Sequence, residues 1–514
     1  MKTDVLVVGA GPTGLALAVQ LIRNGIDFVI IDKTETITPY SKAIGVQART
    51  LEIYDQIGLA DAAVRQGTIG EKIRMFAGGE LRAEFDFGNI GEGMSPFPFV
   101  LMLEQSKNET LLYDYIRTSG QDVVWSTELE NLKQDADGVT ASVKHVDGTR
   151  DEINAKYMVG CDGPRSLTRH LLGLEFEGST FERVFYVADA QIDWQMDHNA
   201  LQICLAEESF VIFFPLKGDK RWRIVGTFPD EFSKDTDEIL YEEIEQRIKE
   251  QAEIELDIHD VEWFSTYKVH SRHVEKFSSG RCFLAGDSAH VHTPVGAQGM
   301  NTGIQDGYNL AWKLAMTLRG EAGDKLLDTY NDERLANAKN LLRTTDRMFH
   351  LAADDDWYIA FLRVHVLPFV AGTLLGFDSI KRLLFPLVSQ IGINYRKSRL
   401  SVGDDFKIKA GDRMPYFEID GASIYDRLRD PKFHLLIFSD GASVIESDSV
   451  AMDYAAFDVL PLYPGIAEIF GTNETLSVIL RPDNYIGYIA KGLDEGVIKK
   501  YLLETIGLIP PISK

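Results

Sequence analysis

The sequence predicts an α/β protein of several domains, with a parallel sheet covered by helices near the N-terminus. The chain has 514 residues, which is more than one ordinary hydrophobic core accommodates. The stretch DVLVVGAGPTGLALAVQLIRNGIDFVIIDK, residues 4–33, reads as a strand, a glycine-rich turn, a helix and a second strand. The pattern of apolar residues then changes twice, near residues 176 and 398, which indicates further domains.

Composition and charge narrow the classes of partner. Apolar residues make up 45% of the chain and charged residues 25%, as in globular proteins. The formal net charge of −25 argues against nucleic acid or an anionic membrane, and a neutral or aromatic small molecule fits better. Phosphate groups can still bind where arginines and backbone N–H groups outweigh the overall field.

Cysteine usage favours a reducing compartment. Cys161, Cys204 and Cys282 form neither a CxxC motif nor a metal-like cluster, so we expect a reduced protein in the cytoplasm. The N-terminus opens directly on an apolar strand, and we expect no signal peptide. The apolar stretch 366–377 has 12 residues, too few to span a bilayer, so we interpret it as core helix and expect no stable membrane insertion.

The first motif is a GxGxxG turn in the setting that gives it meaning. Gly9, Gly11 and Gly14 follow a strand and open a helix, and Asp32 ends the next strand 18 residues after Gly14. Such glycines allow close approach to a pyrophosphate at the helix N-terminus, and the acid can accept hydrogen bonds from ribose. The alternative is that the glycines serve tight packing alone.

The second motif is YMVGCDGPRSLTRHLLG, residues 157–173, at the end of another strand. Asp162 could orient an arginine through a charge-assisted hydrogen bond, and Arg165 and Arg169 could face further phosphates. The alternative is a capped turn followed by two solvated arginines.

The third motif is FLAGDSAHVHTPVGAQGMNTGIQDGYNLAWKLA, residues 283–315. The strand places Asp287 at the carboxyl edge of a sheet, where doubly wound folds bind ligands. Pro294, Gly296, Gly299 and Gly303 then precede or open a long helix. Backbone N–H groups there can hydrogen-bond the edge of a heterocycle and stabilise negative charge on it.

The three motifs, in this order, resemble the single-component (class A) FAD-dependent aromatic hydroxylases typified by para-hydroxybenzoate and phenol hydroxylases. The stretches 41–59 and 102–111 also match that family's pattern. The tail, with GDRMP and VILRPDNYIGYIA, resembles the thioredoxin-like C-terminal domain of phenol, polyketide and rifampicin hydroxylases. The resemblance runs through the whole chain.

The resemblance implies a discontinuous Rossmann-like FAD-binding domain of the glutathione-reductase type, residues 1–175 and 266–397, which includes long helices. Residues 176–265, with part of 70–104, would form an inserted antiparallel-sheet domain that binds substrate. Residues 398–514 would form the thioredoxin-like domain, without CxxC and therefore without a redox role. That domain would stabilise the protein or help two copies pair as a homodimer.

The resemblance also assigns residues to non-covalently bound FAD and to NADPH or NADH. The glycine-rich turn would hold the pyrophosphate, Asp32 the adenosine ribose, and Leu129 would pack against adenine. The backbone at residues 299–301 would meet the flavin ring, and Asp162 with its arginines belongs to a motif that serves both FAD and NAD(P)H. The predicted cofactor residues are Gly9, Gly11, Thr13, Gly14, Asp32, Lys33, Lys42, Arg49, Gln105, Leu129, Asp162, Arg165, Arg169, Gly286, Asp287, Pro294, Gly299, Met300 and Asn301.

In this family NAD(P)H reduces the flavin, O₂ adds to give a C4a-hydroperoxyflavin, and a phenolic or polycyclic aromatic is hydroxylated. Lys42 stands where relatives often carry arginine, which leaves the preference between NADPH and NADH open. We expect no catalytic metal, because no His, Cys and carboxylate grouping has metal-ligand spacing. His290 and Arg49 are the candidate catalytic side chains, although His290 and His292 could equally orient the loop backbone.

The substrate is the least determined part of the prediction. The candidate pocket residues are Phe210, Phe213, Phe214, Trp222 and Phe228, although an aromatic stripe can equally be core. Oxidative inactivation of an antibiotic such as a rifamycin or tetracycline would use the same motifs. A flavin-dependent halogenase is disfavoured because no WxW occurs, and a non-catalytic flavin-loaded sensor stays an alternative.

Overall fold

A computed structural model describes residues 1–41, 43–206, 209–228, 239–293, 297–353, 378–439 and 455–510. The predictions made for Lys42, Pro294, Gly296 and the apolar stretch 366–377 lie outside the described residues. Within the described ranges, every helix is too short or too polar to cross a lipid bilayer.

The first third of the chain alternates strands and helices as its sequence predicts. Its elements are β1 (Lys2–Val8), α1 (Pro12–Arg23), β2 (Phe28–Ile31), β3 (Gly45–Val46), α2 (Ala48–Asp55), α3 (Ala60–Gln66), β4 (Thr68–Ile69), β5 (Lys72–Ala77), β6 (Glu80–Asp86), β7 (Leu101–Met102), α4 (Gln105–Thr118), β8 (Val123–Val124), β9 (Thr127–Gln134), β10 (Val139–His145), β11 (Arg150–Gly160) and α5 (Leu167–Leu171).

The middle of the chain begins with long strands and ends in long helices. Its elements are β12 (Phe176–Asp193), β13 (Ala200–Leu205), β14 (Phe210–Pro215), β15 (Arg221–Thr227), α6 (Tyr241–Ala252), β16 (Asp257–Val274), β17 (Ser278–Ser279), β18 (Cys282–Leu284), β19 (His290–Val291), α7 (Gly299–Leu318), α8 (Lys325–Ala353) and α9 (Asp378–Val388).

The last part of the chain is a smaller α/β unit. Its elements are β20 (Val402–Gly403), β21 (Glu418–Ile419), β22 (Ala422–Ser423), β23 (Phe433–Ser439), β24 (Ala455–Pro461), α10 (Pro464–Phe470), β25 (Leu476–Leu480), β26 (Ile486–Lys491) and α11 (Glu495–Lys500), which continues into a π-helical turn (Tyr501–Ile506).

Three main sheets organise these elements. The first has the order β17-β18-β11-β1-β2-β8, in which β18, β11, β1, β2 and β8 run parallel and β9 and β10 extend it beyond β11. The second, with the order β19-β16-β12-β15-β14-β13-β5-β6, is largely antiparallel. The third has the order β20-β26-β25-β23-β24. The fold is thus mixed α/β, as the sequence predicts.

Helices α1 and α7 cross at close range beneath the first sheet, and small residues permit the approach. A Cβ atom on Gly307 would lie 3.1 Å from the backbone nitrogen of Leu17. The main core gathers around this crossing, with residues such as Val7 and Leu310 fully buried. The crossing brings the N-terminal ends of two helices to one edge of the parallel sheet.

A buried ionic cluster joins the third sheet to helices α7 and α8. Arg481, which follows β25, donates to Glu333 at 2.6 Å and pairs with Asp483 at 2.5 Å. Lys313 of α7 completes the cluster with a 2.8 Å contact to Glu333. All four side chains have zero exposure. Each buried charge is paired with an opposite charge, as the burial of ions requires.

Candidate functional site

The glycine-rich turn between β1 and α1 uses its three glycines differently. A side chain on Gly9, whose φ is +104°, would overlap the carbonyl of Cys161, and one on Gly14 would overlap the carbonyl of Gly9. A Cβ on Gly11, by contrast, would meet no described heavy atom within 4 Å. The packing interpretation therefore accounts for Gly9 and Gly14, whereas Gly11 keeps the turn accessible to a ligand.

The start of α1 offers backbone donors beside this turn. The helix's first intrahelical bond is donated by Leu15 to the carbonyl of Gly11, so the N–H groups of Thr13 and Gly14 precede it. The side chain of Thr13 occupies the space that Gly286 and Gly303 leave by lacking a Cβ. Thr13 can thus serve a pyrophosphate only through its backbone while its side chain holds α1 against α7.

Asp32 lies at the end of β2, next to the turn. Its Oδ2 accepts from the backbone of Ala10 at 2.6 Å, and its Oδ1 accepts from the backbone and hydroxyl of Thr34, both at 2.8 Å. These bonds fix the carboxylate where the sequence predicts the ribose contact. Lys33 beside it is exposed.

The third motif forms a tight turn followed by the N-terminus of α7. Gly286 has a φ of +63° and donates its N–H to Asp306 at 2.9 Å, while Asp287 is exposed at the turn. The first intrahelical bond of α7 is donated by Thr302 to Gln298, so the N–H groups of residues 299–301 precede it. This end of the helix carries partial positive charge and suits an electron-rich heterocycle edge.

Asn301 has a second role that sequence reasoning missed. Its Oδ1 accepts from the backbone of Gln47 at 2.9 Å and from the hydroxyl of Thr50 at 2.7 Å. Its Nδ2 donates to the carbonyls of Gly45 and Ala297, both at 2.9 Å. The side chain therefore fastens the segment after β3 to the start of α7, the two segments that would flank a flavin ring.

Gln105 is the first residue of helix α4 and hydrogen-bonds both the segment at Ala43 and Glu109 of its own helix. Its Oε1 accepts from the backbone of Ala43 at 3.2 Å, and its Nε2 donates to Glu109 at 2.8 Å. Burial raises the pKa of Glu109 to about 7, and the charge of Asp32 adds to the rise. Sequence reasoning missed Glu109, although its position four residues after Gln105 places both on one helix face.

The second motif differs from its prediction. Asp162 accepts from the hydroxyl of Ser166 at 2.5 Å and from the backbone and hydroxyl of Thr168, so it holds the first turn of α5, whose N-cap is Ser166, and it makes no hydrogen bond to an arginine of the described residues. Arg169 is buried, donates to the carbonyl of Ser288 at 3.1 Å, and lies over the ring of Phe176. The predicted Asp–Arg bond is wrong, and the capped-turn alternative holds.

The two arginines of that motif also differ from each other. Arg169 supports the turn after β18 from behind, because its bond to the Ser288 carbonyl reaches the residue after Asp287. Arg165 is exposed. The alternative of two solvated arginines is therefore correct for Arg165 alone, which stays available to a phosphate from solution.

Arg49 does not point toward the candidate cofactor surface. Its guanidinium donates to Glu52 at 3.0 Å and to the carbonyl of Asp483 at 2.9 Å, and the rings of Tyr308 and Tyr485 lie against it. With 1% of its surface exposed, Arg49 belongs to the contact between α2 and the third sheet. The predicted cofactor and catalytic roles of its side chain are corrected accordingly.

His290 is likewise an interior residue. Its Nε2 lies 2.8 Å from Oδ2 of Asp306, its ring stacks on Phe277, and Arg334 donates to the other oxygen of Asp306 at 2.6 Å. Only 2% of His290 is exposed. It orients the turn from behind, as the alternative interpretation has it, and a direct proton transfer by its side chain is not supported.

His292 and Leu129 occupy different surroundings. Burial lowers the pKa of His292 to about 4, its Nδ1 lies 2.8 Å from the carbonyl of Thr293, and a Cβ on Gly299 would lie 3.3 Å from its Nε2. A neutral His292 thus lines the start of α7.

Leu129 packs into an apolar cluster with Val8 and is 4% exposed.

The aromatic residues predicted for the substrate divide between the two faces of the second sheet. Phe213, Trp222 and Phe228 pack against α6 in one core cluster and are 0%, 1% and 3% exposed. For these three the pocket prediction is wrong and the core alternative is right. Phe210 and Phe214 are half-buried and belong to clusters on the opposite face.

That opposite face meets the first part of the chain. Its apolar cluster brings Ile44 and Met102 together with Leu201 and, half-buried, Ile203 and Phe214. Because Ile44 precedes the segment fastened by Asn301, these side chains lie on the side of the sheet that faces the candidate flavin position. We call this surface the inner face and the side packed on α6 the outer face.

A buried arginine connects the inner face to the segment before β3. Arg223 of β15 makes two 2.7 Å bonds to the carboxylate of Asp189, and its Nη1 donates to the carbonyl of Ala43 at 3.1 Å. Trp263 donates to the same carboxylate at 2.8 Å. Asp189 thus balances the charge of the buried arginine. The bond from Arg223 to the Ala43 carbonyl holds the same segment whose backbone N–H donates to Gln105.

Known proteins resemble this chain along most of its length. The FAD binding domain family matches residues 2–345, more than half of the chain. A flavin-dependent monooxygenase of Mycobacteroides abscessus is 31% identical over 503 residues, which cover 95% of this chain and 97% of that protein. A rifampicin monooxygenase of Rhodococcus hoagii is 29% identical over 95% of both chains.

A solved structure supports the same assignment. The anhydrotetracycline hydroxylase OxyS of Streptomyces rimosus superposes with a TM-score of 0.79 at 29% identity, covering 100% of both chains. The fold and the site thus define a flavoprotein monooxygenase. The chain belongs to the FAD binding domain family and is an FAD-dependent aromatic hydroxylase that takes its electrons from NAD(P)H.

Proposed function

We propose that this enzyme hydroxylates a bulky, uncharged phenolic or polycyclic aromatic compound, with NADPH or NADH and O₂ as co-substrates. The inner face carries the proposal: Ile203, Ile212 and Phe214 present half-buried apolar surface there. The two arginines that β15 places on that face are already paired with carboxylates, Arg223 with Asp189 and Arg221 with Glu104 and Glu262. A small benzoate would need an unpaired cation, whereas a neutral ring system needs apolar area.

The residues present fit FAD in both charge and shape. The accessible Gly11 and the N–H groups of Thr13 and Gly14 would hold the diphosphate, and Asp32 the ribose. The start of α7 would meet the ring edge, with Asp287 and Gln105 nearer the chain that links ring and diphosphate. FAD, when bound, supplies the electron transfer and the activation of O₂.

The protein's own part in the reaction is positional. The bonds of Asn301 hold the segments on either side of the ring position, and the inner face keeps water away from the reacting ring carbon. The backbone N–H groups at the start of α7 place donors next to the flavin position, whereas the neutral His292 donates from Nδ1 to the carbonyl of Thr293 and presents an acceptor at Nε2.

The three sheets support a proposal for domain roles. The parallel sheet with α7 and α8 would form the FAD-binding domain from residues 1–175 and 266–397, and the second sheet the substrate domain. The sheet of residues 398–514 would be the thioredoxin-like unit, bound to the rest through Arg481 and Glu333. Localisation in the cytoplasm and pairing as a homodimer stay predictions.

A second candidate is the oxidation of an antibiotic, because a rifampicin monooxygenase matches almost the whole chain. Rifamycins are bulky polycyclic aromatics and would suit the same inner face. The two candidates differ in substrate alone, since the same FAD site serves both.

The test is NAD(P)H oxidation by the purified, FAD-loaded protein with a panel of simple phenols, benzoates, polycyclic phenols and rifamycins. We expect one of the polycyclic compounds to accelerate oxidation at least tenfold and to yield a product heavier by one oxygen atom, with little peroxide. Acceleration and hydroxylation confined to a small benzoate would contradict the proposal. A rifamycin product would decide for the second candidate.

A further inference from the structure

Two buried carboxyl groups lie near the start of helix α4, and they differ in their partners. Glu104 is 3% exposed and meets two cations, with Lys107 at 2.8 Å and Arg221 at 3.1 Å. Glu109 is 2% exposed and accepts a 2.8 Å hydrogen bond from the side-chain amide of Gln105. Among the described residues, no cation contacts Glu109.

The surroundings of Glu109 are unfavourable to a negative charge. Its helix packs on α1, the charged neighbour from the parallel sheet is Asp32, and Tyr54 of α2 is engaged with Asn108 on the same helix. The carboxylate of Asp32 accepts hydrogen bonds from the N–H groups of Ala10 and Thr34. A buried carboxyl without a cation favours its neutral form, and a carboxylate nearby strengthens that preference.

We propose that Glu109 is the proton-linked member of the FAD site: it is neutral in the holoenzyme, and FAD binding takes up one proton at its carboxyl group. Gln105, which contacts Glu109, and Asp32, whose charge acts on Glu109, are the groups predicted to meet the ribityl–diphosphate part and the ribose of FAD. The diphosphate brings two further negative charges to this region, so a carboxylate at Glu109 would be repelled.

The proton comes from solvent, and no bond other than O–H forms or breaks. Glu109 already titrates near neutral pH in the protein alone, where its pKa is about 7. The added negative charge of FAD raises this pKa further. Between the two pKa values, each unit of pH rise therefore removes up to tenfold in affinity, whereas below pH 7 the affinity is constant.

The experiment measures the dissociation constant of FAD from the full-length protein between pH 6 and 9 by flavin fluorescence, without any aromatic substrate. We expect constant affinity up to about pH 7 and a loss of up to about tenfold per pH unit above it. FAD does not itself titrate in this range. Because no hydroxylation is measured, the outcome is independent of the substrate assigned above.

Two variants separate the proposal from a general effect of pH. Glu109→Gln keeps the shape and the neutral state, so it should bind FAD with an affinity that does not change with pH. Glu104→Gln alters the cation-paired carboxyl one turn earlier and should keep the wild-type pH dependence. Calorimetry of wild-type protein in buffers of different ionisation enthalpy should show uptake of about three quarters of a proton near pH 7.5.

Two results would overturn the proposal. One is wild-type affinity that changes less than twofold from pH 6.5 to 8.5, which would mean that FAD binding leaves the protonation of Glu109 unchanged. The other is an equally steep pH dependence in Glu109→Gln, which would assign the proton to another group. If that variant fails to fold, zero proton uptake by the wild-type protein still refutes the proposal.

Discussion

The two faces of the second sheet carry similar residues but serve different purposes. On β14, Val211 and Phe213 point outward to α6 and are fully buried, whereas Ile212 and Phe214 point inward and stay half-buried. The outer face is closed by one helix of the same unit. The inner face is shared with residues from the start of the chain, such as Ile44.

The difference shows that alternation in a strand defines two sets of residues without telling which set is core. Period-two alternation follows from the pleat, so Phe213 and Phe214 must point in opposite directions. Which side is filled by the protein itself depends on α6, which the chain adds only after β15. An apolar face whose side chains stay half-buried is the better candidate for a ligand.

The largest expected effect comes from truncating neighbouring phenylalanines. Phe213→Ala leaves a cavity in a closed core and should lower the free energy of unfolding by about 3–5 kcal/mol. Phe214→Ala removes a side chain that is already half-exposed and should cost about 1–2 kcal/mol, with more peroxide formed per NAD(P)H oxidised. Urea unfolding of both FAD-loaded variants, with a peroxide assay, checks the pair. Equal losses of stability would show that both faces are core.

Local sequence explains what could be predicted of this molecule. The turn of Gly9–Gly14 and the acid Asp32 lie within one βαβ unit, where spacing alone fixes geometry. The same holds for the turn at Gly286 and the start of α7. These parts of the fold follow from chain neighbours, and the structure agrees with them, while the FAD contacts assigned to them stay predictions.

The errors concern residues whose partners are distant in sequence. Arg49 matches a family pattern, but its side chain is engaged by Glu52 and by the carbonyl of Asp483, 434 residues away. The sequence makes His290 a candidate catalytic side chain, but Asp306 and Arg334, both on later helices, hold it in the interior. The residue type suggests a functional role for Arg49 and His290. The packing of helices and sheets decides whether the side chain points into the interior or toward a ligand.

A smaller effect is expected from added bulk at two consecutive residues of β13. Cys204 is 1% exposed and faces α6, so Cys204→Phe should overpack the core and cost about 1–3 kcal/mol. Ile203→Phe adds bulk to the inner face and should cost under about 1 kcal/mol, while it excludes the largest aromatic that the wild-type enzyme accepts. Thermal unfolding and the substrate panel measure both. Unchanged substrate range in Ile203→Phe would place the pocket elsewhere.

The reactivity of cysteine thiols distinguishes the two faces of the second sheet with the smallest expected change in stability. Cys161, Cys204 and Cys282 are buried, and burial raises the pKa of both Cys204 and Cys282 to about 12 and that of Cys161 well above its usual value. Since the thiolate is the reactive form, the native wild-type protein should react very slowly with a thiol reagent such as DTNB.

Ile203→Cys would add one thiol to the inner face, directly beside the native Cys204 on the outer face. We expect this thiol to react at least tenfold faster than the native three, because Ile203 is half-buried in the protein without substrate. A bound polycyclic aromatic should slow the reaction in proportion to its occupancy, which a ligand held elsewhere would not do. A new thiol as slow as Cys204 would mean that the inner face is closed, and the substrate surface would then have to be sought away from β13.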